Sequence, residues 1–396
     1  MTEALKPERE ADVVEAVLAA RLAGTKLDIV GSGAMAGLGR PRADAERRQL
    51  SSAAMSGIIF YAPAEMTLSA SAGTTVAAIE AAIAEHGQML PFEPMRPRAL
   101  WGSDAEPTLG GMVATNLAGP RRPSVGAVRD GVLGLKLVNG LAQTIRCGGR
   151  VMKNVTGLDL TKLNCGAHGT LGVLTEATIK LAPKPEAETT LVMPDLGESK
   201  AVEAMTRGLS SPFGVSGAAW LASGMGRAFS RTLLRLEGFA DSVDDRARRL
   251  ASLVGDFGRV NRVTGEESAA LWRSVRDAEF IAEPSDRAVW RVSLTPSRAA
   301  AFAVGLDKTA LAHFFDWGGG LVWVATAASE TAASAVRRAA ASAKGHATLM
   351  RAPDSLRAAV EVFEPPSAVA MRLSRGLKQS FDPDGVLNFG RMYDGV

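Results

Sequence analysis

The chain has 396 residues, 45 Lys+Arg against 42 Asp+Glu, a net charge of +3 and 46% hydrophobic residues. That length exceeds one compact core and suits two domains, and the hydrophobic share excludes a disordered chain. Basic and acidic residues interleave rather than cluster, which argues against a dedicated nucleic-acid binder. Two cysteines, Cys147 and Cys165, cannot build a disulfide framework, do not form a CxxC pair and cannot supply the four thiolates of an iron–sulfur cluster. The first residues are rich in charge (Glu3, Lys6, Glu8, Arg9, Glu10, Asp12) and lack the apolar stretch of a signal peptide. No run approaches the roughly 18 apolar residues of a membrane span. A cytoplasmic protein, at most peripheral to a membrane, is expected.

Helical spacing of Val13, Val14, Val17 and Leu18 predicts a helix over 11–23 that stops at Gly24. Residues 26–30 read as a strand opening onto Gly31-Ser32-Gly33-Ala34-Met35-Ala36-Gly37. A second strand at 67–72 leads through Gly73-Thr74-Thr75, where either threonine can cap a helix over 76–86 that Gly87 ends. The proline-rich stretch 88–97 reads as extended. Residues 132–139 and 142–146 form a predicted hairpin about Asn139-Gly140, and 172–181 a further β-branched strand. Lys180-Leu181-Ala182-Pro183-Lys184-Pro185 reads as a stiff connector and a domain boundary. Beyond it, helices at 242–254 and 329–344 mix with strands at 232–236, 290–295 and 320–325, an α+β pattern. The expected organisation is therefore a domain over 1–183, a second over 184–380 and a tail over 381–396.

Three glycine-rich segments carry the chemistry. The 31–37 loop exposes backbone N–H groups that suit a phosphate; a plain tight turn is the alternative, since the spacing is not the G-x-G-x-x-G of a dinucleotide fold. Thr108-Leu109-Gly110-Gly111, followed by Thr115, Asn116 and the cationic run Arg121-Arg122, favours close approach of backbone to a ligand over a structural bend. Gly166-Ala167-His168-Gly169-Thr170-Leu171-Gly172 runs into a β-rich stretch and suits a backbone lying against a flat ring. Four histidines are available. His86 reads as a helix-end or surface residue and His313 as core, whereas His168 and His346 are the candidates for acid–base work on a substrate. The tryptophans of the second half read as core, with a partner-docking patch as the alternative.

In this order, 31–37, Ala72-Gly73-Thr74, Thr108-Leu109-Gly110-Gly111, 126–130, 153–160 and 169–175 resemble the FAD-binding domain of the vanillyl-alcohol oxidase / p-cresol methylhydroxylase (PCMH-type) superfamily. Within it, Gln88-Met89-Leu90-Pro91, Leu117-Ala118-Gly119-Pro120-Arg121-Arg122-Pro123, Asp316-Trp317-Gly318-Gly319, Gly345-His346-Ala347-Thr348 and Gly390-Arg391-Met392-Tyr393 are similar to the FAD-binding E-subunit family of bacterial glycolate oxidases. The resemblance implies an α+β protein: a two-subdomain PCMH-type FAD-binding domain plus a second α+β cap domain with an antiparallel sheet, and a tail that returns to the flavin. It implies non-covalent FAD, since the glycine loop lacks the histidine that bonds flavin in some relatives. The residues it assigns to FAD are Gly31, Ser32, Gly33, Ala34, Met35, Thr108, Leu109, Gly110, Gly111, Thr115, Asn116, Gly126, Arg129, Asp130, Gly169, Gly172, Val173, Leu174, Asn388 and Arg391. It also implies oxidation of a small 2-hydroxy acid, glycolate, beside a larger FAD-containing subunit and an iron–sulfur subunit. A self-sufficient FAD-dependent 2-hydroxy-acid dehydrogenase and a structural scaffold subunit are the alternatives. No metal site is expected.

Overall fold

The computed structural model describes residues 4–42, 47–150, 158–224 and 228–396. They divide into two compact units. The first joins Met1–Ala118, Gly126–Pro183 and Pro365–Val396, and the second joins Gly119–Val125 and Lys184–Glu364. The C-terminal part of the first unit thus begins at Pro365 rather than 381, because the helix Ala368–Phe381 delivers Phe381 into that unit's core. The short Gly119–Val125 segment belongs to the second unit, where Arg121 pairs with Glu237.

In the first unit, helix α1 (Glu10–Ala23) buries Val13, Val17 and Ala20 and ends on Gly24 at φ 67°, a left-handed position that glycine adopts at little cost. Strand β1 (Lys26–Val30) pairs in parallel with β2 (Arg47–Ser51). The C-terminal tail lies along β1: Leu27 N–H donates to the Val386 carbonyl at 2.7 Å, and Asn388 N–H to the Leu27 carbonyl at 3.0 Å. Val13, Val17, Leu27, Leu50, Val386 and Leu387 close this layer into one apolar cluster.

The other layer contains β3 (Ile58–Ala62), β4 (Thr67–Ser71), β5 (Gln88–Met89), β6 (Val132–Val138), β7 (Thr144–Gly148), β8 (Val173–Lys180) and β9 (Ala182–Pro183). Five of these form an antiparallel sheet in the order β3-β4-β8-β6-β7, and β5 pairs with β9. Of the two capping candidates before α2 (Val76–Ala84), Thr75 accepts from Ala78 N–H, while Thr74 Oγ1 is engaged with Gly57. The hairpin loop is longer than a two-residue turn. Asn139 Oδ1 accepts from both Leu141 N–H and Gln143 N–H, and Ala142 sits at φ 60°, so β7 starts at Thr144.

The second unit is built on β10 (Ala187–Pro194), β11 (Val215–Leu221), β12 (Arg231–Gly238), β13 (Asn261–Thr264), β14 (Ala288–Ser293), β15 (Ala310–Asp316), β16 (Leu321–Thr326) and β17 (His346–Arg351). These make an eight-stranded antiparallel sheet, β13-β10-β12-β11-β15-β16-β14-β17. Helices Glu198–Leu209, Ala240–Leu253, Gly265–Arg276, Ala299–Leu306 and Glu330–Ser342 accompany it, giving the α+β composition expected. Trp272, Trp290, Phe314 and Phe315 are fully enclosed in its core, and Trp272 Nε1 finds Thr190 Oγ1 at 2.7 Å. Arg235, also enclosed, stacks on Trp272 and shares Glu237 with Arg121. Burial raises the Glu237 carboxyl, but its hydrogen bond from Arg121 and the Arg235 charge hold it down at about 2, so this buried carboxylate stays ionised. Among the described residues, no helix is long and apolar enough to cross a membrane.

Candidate functional site

The first unit holds a cavity that opens to solvent. Its walls come from the end of β1 with the 31–36 loop, the helix Leu109–Thr115, the turn between His168 and Leu174, and Arg391 of the tail. Each wall is close to the others because a glycine stands at the crossing point. A Cβ on Gly31 would lie 2.2 Å from Thr108 Oγ1, on Gly110 3.0 Å from the Ala72 Cβ, and on Gly172 2.4 Å from a Leu137 methyl. Gly33, at φ 83°, differs: a Cβ there would meet nothing within 4 Å, so its face is free for a ligand.

The backbone donors sort the walls further. At the helix Leu109–Thr115 the first amides are already used: Leu109 N–H donates to the Thr74 carbonyl at 2.8 Å, Gly110 N–H to the Ala72 carbonyl at 2.7 Å, and Gly111 N–H to Thr108 Oγ1 at 3.2 Å. The 31–36 loop is the opposite case. No described residue accepts a hydrogen bond from the amides of Ser32, Gly33, Ala34 or Met35, all of which line the cavity. Backbone donors left without partners in a recess are costly unless water or a ligand takes them, and successive ones form an anion-binding concavity. The pair of glycines at 110 and 111 therefore serves packing and access, and the 32–35 amides are the donors on offer.

The 168–174 turn is held from behind. His168 stands at φ 51°, and its carbonyl accepts from Asn388 Nδ2 at 2.7 Å. Asn388 also takes Ile29 N–H on Oδ1 at 2.9 Å, so one amide side chain joins β1, the turn and the tail. The His168 imidazole lies in the cavity wall. Burial, and after it the Arg391 charge, lowers its pKa from 6.5 to about 3, so the ring is neutral at physiological pH. Burial pushes the Cys165 thiol up to about 12, which leaves it chemically inert.

Of the residues singled out from sequence, the cavity brings together Gly31, Ser32, Gly33, Ala34, Met35, Thr108, Gly110, Gly111, Thr115, His168, Gly169, Gly172, Leu174 and Arg391. Leu109 and Val173 face the core instead. Asn116, at φ 52°, caps the helix and accepts from Arg129 N–H at 3.0 Å. Asp130 accepts from Ala127 N–H at 2.8 Å and fills the space beside Gly126, so these residues shape the adjoining turn, while Arg129 points to solvent. His346 is exposed at the start of β17 and does not line the cavity. His313 is half-buried rather than core, with Nε2 at 2.7 Å from Glu198 Oε1. His86 is exposed, edge-on to Tyr61. Residues 153–157 of the 153–160 motif lie outside the described residues. Ile29, Val30, Ala36, Ser52, Pro107 and Ala114 complete the walls without having been assigned to FAD from the sequence. For Ala114 the signal was present: it follows Gly110 and Gly111 at helical spacings of four and three.

A model of the FAD binding domain family matches residues 3–148. The "Glycolate oxidase subunit GlcE" of Escherichia coli (strain K12) is 38% identical over 371 residues, 93% of each chain. The chain belongs to the GlcE family. A D-lactate dehydrogenase of Archaeoglobus fulgidus is 37% identical over 123 residues, 31% of this chain and 26% of that protein. The structure of p-cresol methylhydroxylase with substrate bound matches with a TM-score of 0.73 at 14% identity, over 99% of this chain and 88% of that one. The chain thus shares the fold of p-cresol methylhydroxylase and, as a member of the GlcE family, is an FAD-binding oxidoreductase. The recess fits that cofactor: its glycines keep side chains out, and its four unused amides suit a pyrophosphate.

Proposed function

We propose that the chain is the FAD-binding subunit of a multi-subunit glycolate oxidase that converts glycolate to glyoxylate and passes electrons to an iron–sulfur partner. The observation that carries this reading is the similarity to GlcE along 93% of both chains, which takes in both units. FAD, when bound, supplies a two-electron acceptor. The chain's own residues do the rest. The amides of Ser32, Gly33, Ala34 and Met35 hold pyrophosphate oxygens, and the glycines at 31, 110, 111, 169 and 172 leave the backbone accessible. Asn388 and Arg391 bring the tail to the cofactor, which is held without a covalent bond. His168, kept neutral, offers a hydrogen bond without a charge. The second unit acts as a cap or docking domain, with His346 as its imidazole for substrate handling.

Two cysteines in the whole sequence cannot ligate a cluster that needs four thiolates, which supports an acceptor on another chain. The partners that the family resemblance implies are a larger FAD-containing subunit and a cysteine-rich iron–sulfur subunit, with the complex in the cytoplasm and touching a membrane only through its assembly. Co-purification tests this. Dye reduction with glycolate should be weak for the isolated FAD-loaded chain and should rise when both partners are present, with His346→Ala lowering turnover modestly and leaving FAD bound. Full glycolate-dependent reduction by the isolated chain would instead favour a self-sufficient dehydrogenase.

A further inference from the structure

Trp220, Trp272, Trp290, Trp317 and Trp323 are all buried in the second unit, so none of them presents a docking patch. The helix Ala299–Leu306 does. Its sequence, Ala-Ala-Ala-Phe-Ala-Val-Gly-Leu, holds no polar side chain. A helix that is apolar all round is ordinarily enclosed on every side. This one buries Ala299, Phe302, Ala303 and Leu306 but leaves Ala301, Val304 and Gly305 in solvent, Val304 at 72% exposure.

The helix Glu330–Ser342 packs beside it, and the two border a groove. Phe302 and Ala343 are its buried floor, and Ala335 and Ala339 line it further. A Cβ on Gly305 would meet nothing within 4 Å, so the space over that residue is open. Arg298 and Arg338 stand exposed along the groove, and among the described residues neither guanidinium has a hydrogen-bond, ion-pair or ring partner. No carboxylate is among the residues that line it. Elsewhere on this unit's surface arginines carry their own counter-charges: on the helix Ala240–Leu253, Arg248 meets Asp244 and Asp245, and Arg249 meets Asp245. The groove thus joins an uncovered apolar surface to two cations without anions.

We infer that this groove docks an acidic helix of a partner subunit, one with an apolar face flanked by carboxylates. A helix is a rod and fits a groove between two others, where small side chains such as Ala335, Ala339 and Gly305 let it come close. Its apolar face covers Ala301 and Val304, and its carboxylates answer Arg298 and Arg338. Charge decides against a second copy of this chain seated groove to groove, since that pairing sets the two arginines of one copy against those of the other. Shape decides against an anionic membrane, which is flat and leaves the floor uncovered. The inference rests on the multi-subunit reading above for its partner.

Photo-crosslinking of the FAD-loaded chain co-expressed with both proposed partners tests it. With photoreactive benzoylphenylalanine in place of Ala301, irradiation should join this chain to one partner, through a peptide with apolar residues at helical spacing and flanking Asp or Glu. Arg298→Glu combined with Arg338→Glu should lower recovery of that partner at least about tenfold, and Arg298→Lys combined with Arg338→Lys should retain most of it. These side chains are exposed, so FAD content and Tm of the isolated chain should not change. Val304→Asp, which touches neither arginine, should also lower recovery, and it decides the matter if the double glutamate variant proves misfolded. A crosslink to a second copy of this chain, a crosslinked peptide without acidic residues, or no crosslink in an assembled complex would each overturn the docking site. So would full recovery of both partners by the double glutamate variant and by Val304→Asp. Arginine-dependent binding to phosphatidylserine vesicles, with no crosslink to a partner, would overturn it in favour of a membrane surface. If the crosslink forms but the complex does not oxidise glycolate, the docking site stands and the functional reading fails. If the complex oxidises glycolate and the groove variants assemble undiminished, the reverse holds; a native chain that binds neither partner overturns both.

Discussion

Lys378 and Asp382 form an ion pair of 2.7 Å in which both side chains are shut away from solvent. The ammonium also donates to the Thr170 carbonyl at 2.8 Å and the Leu387 carbonyl at 2.7 Å. The carboxylate accepts N–H groups from Val386 at 2.9 Å and Leu387 at 2.8 Å. One pair thus fastens the C-terminal helix, the turn at the cavity and the tail that carries Asn388 and Arg391.

Removing one partner of such a pair leaves the other as an uncompensated buried charge, at a cost of about 3–5 kcal/mol. Lys378→Met should therefore lower the Tm of the FAD-loaded chain by several degrees, weaken FAD retention on dialysis and open the tail to carboxypeptidase. A variant that keeps both its Tm and its FAD would show that the latch is not what holds the turn.

Filling the cavity separates cofactor binding from folding. Ala114 sits on a helix and lines the cavity, so Ala114→Phe should abolish visible flavin absorbance while the apoprotein keeps its circular dichroism. Gly110→Val is a poorer test, because a Cβ there already lies 3.0 Å from the Ala72 side chain and 3.1 Å from its carbonyl. Full FAD occupancy in Ala114→Phe would remove the cavity from consideration.

Acid precipitation should leave FAD in the supernatant. The 31–36 loop presents no histidine, and His168 is the one imidazole in the described cavity walls. Flavin remaining in the washed pellet would establish a covalent bond, and His168→Ala would then identify its site.

His168 also sets a pH dependence. Its folded pKa of about 3 lies below its ordinary 6.5, so between these values the unfolded chain binds the extra proton. The stabilisation is complete above pH 6.5 and declines as the pH falls toward 3. Compared with His168→Gln in urea melts of the apoprotein, the native chain should lose about 1.4 kcal/mol more on going from pH 7.5 to pH 5.5. Parallel pH profiles for the two proteins would contradict a buried neutral imidazole.

The sequence made the glycine crossings legible because close backbone approach leaves glycine as the residue that fits, and Gly31, Gly110, Gly169 and Gly172 are all such places. What those glycines accommodate was not legible. Whether the amides of Leu109 and Gly110 are spent or free depends on Thr74 and Ala72, which only the folded chain brings opposite them. Strands β11 and β15 were missed because Gly217, Ala218 and Ala219 dilute the alternation in the first, and a bulge between Ala310 and Ala312 breaks it in the second. His313 looked like core from its Phe314-Phe315 neighbours, but its partner Glu198 lies 115 positions away.

The central claim is that this chain holds FAD in the cavity of its first unit and needs partner subunits to oxidise a small hydroxy acid. The most direct measurement is glycolate-dependent dye reduction by the complex reconstituted with either the native chain or its FAD-free Ala114→Phe form. The account predicts little activity for the native chain alone, robust activity for the native complex, and at least a tenfold loss when Ala114→Phe replaces it with the other subunits still bound. Undiminished turnover by the complex containing the FAD-free chain would contradict it.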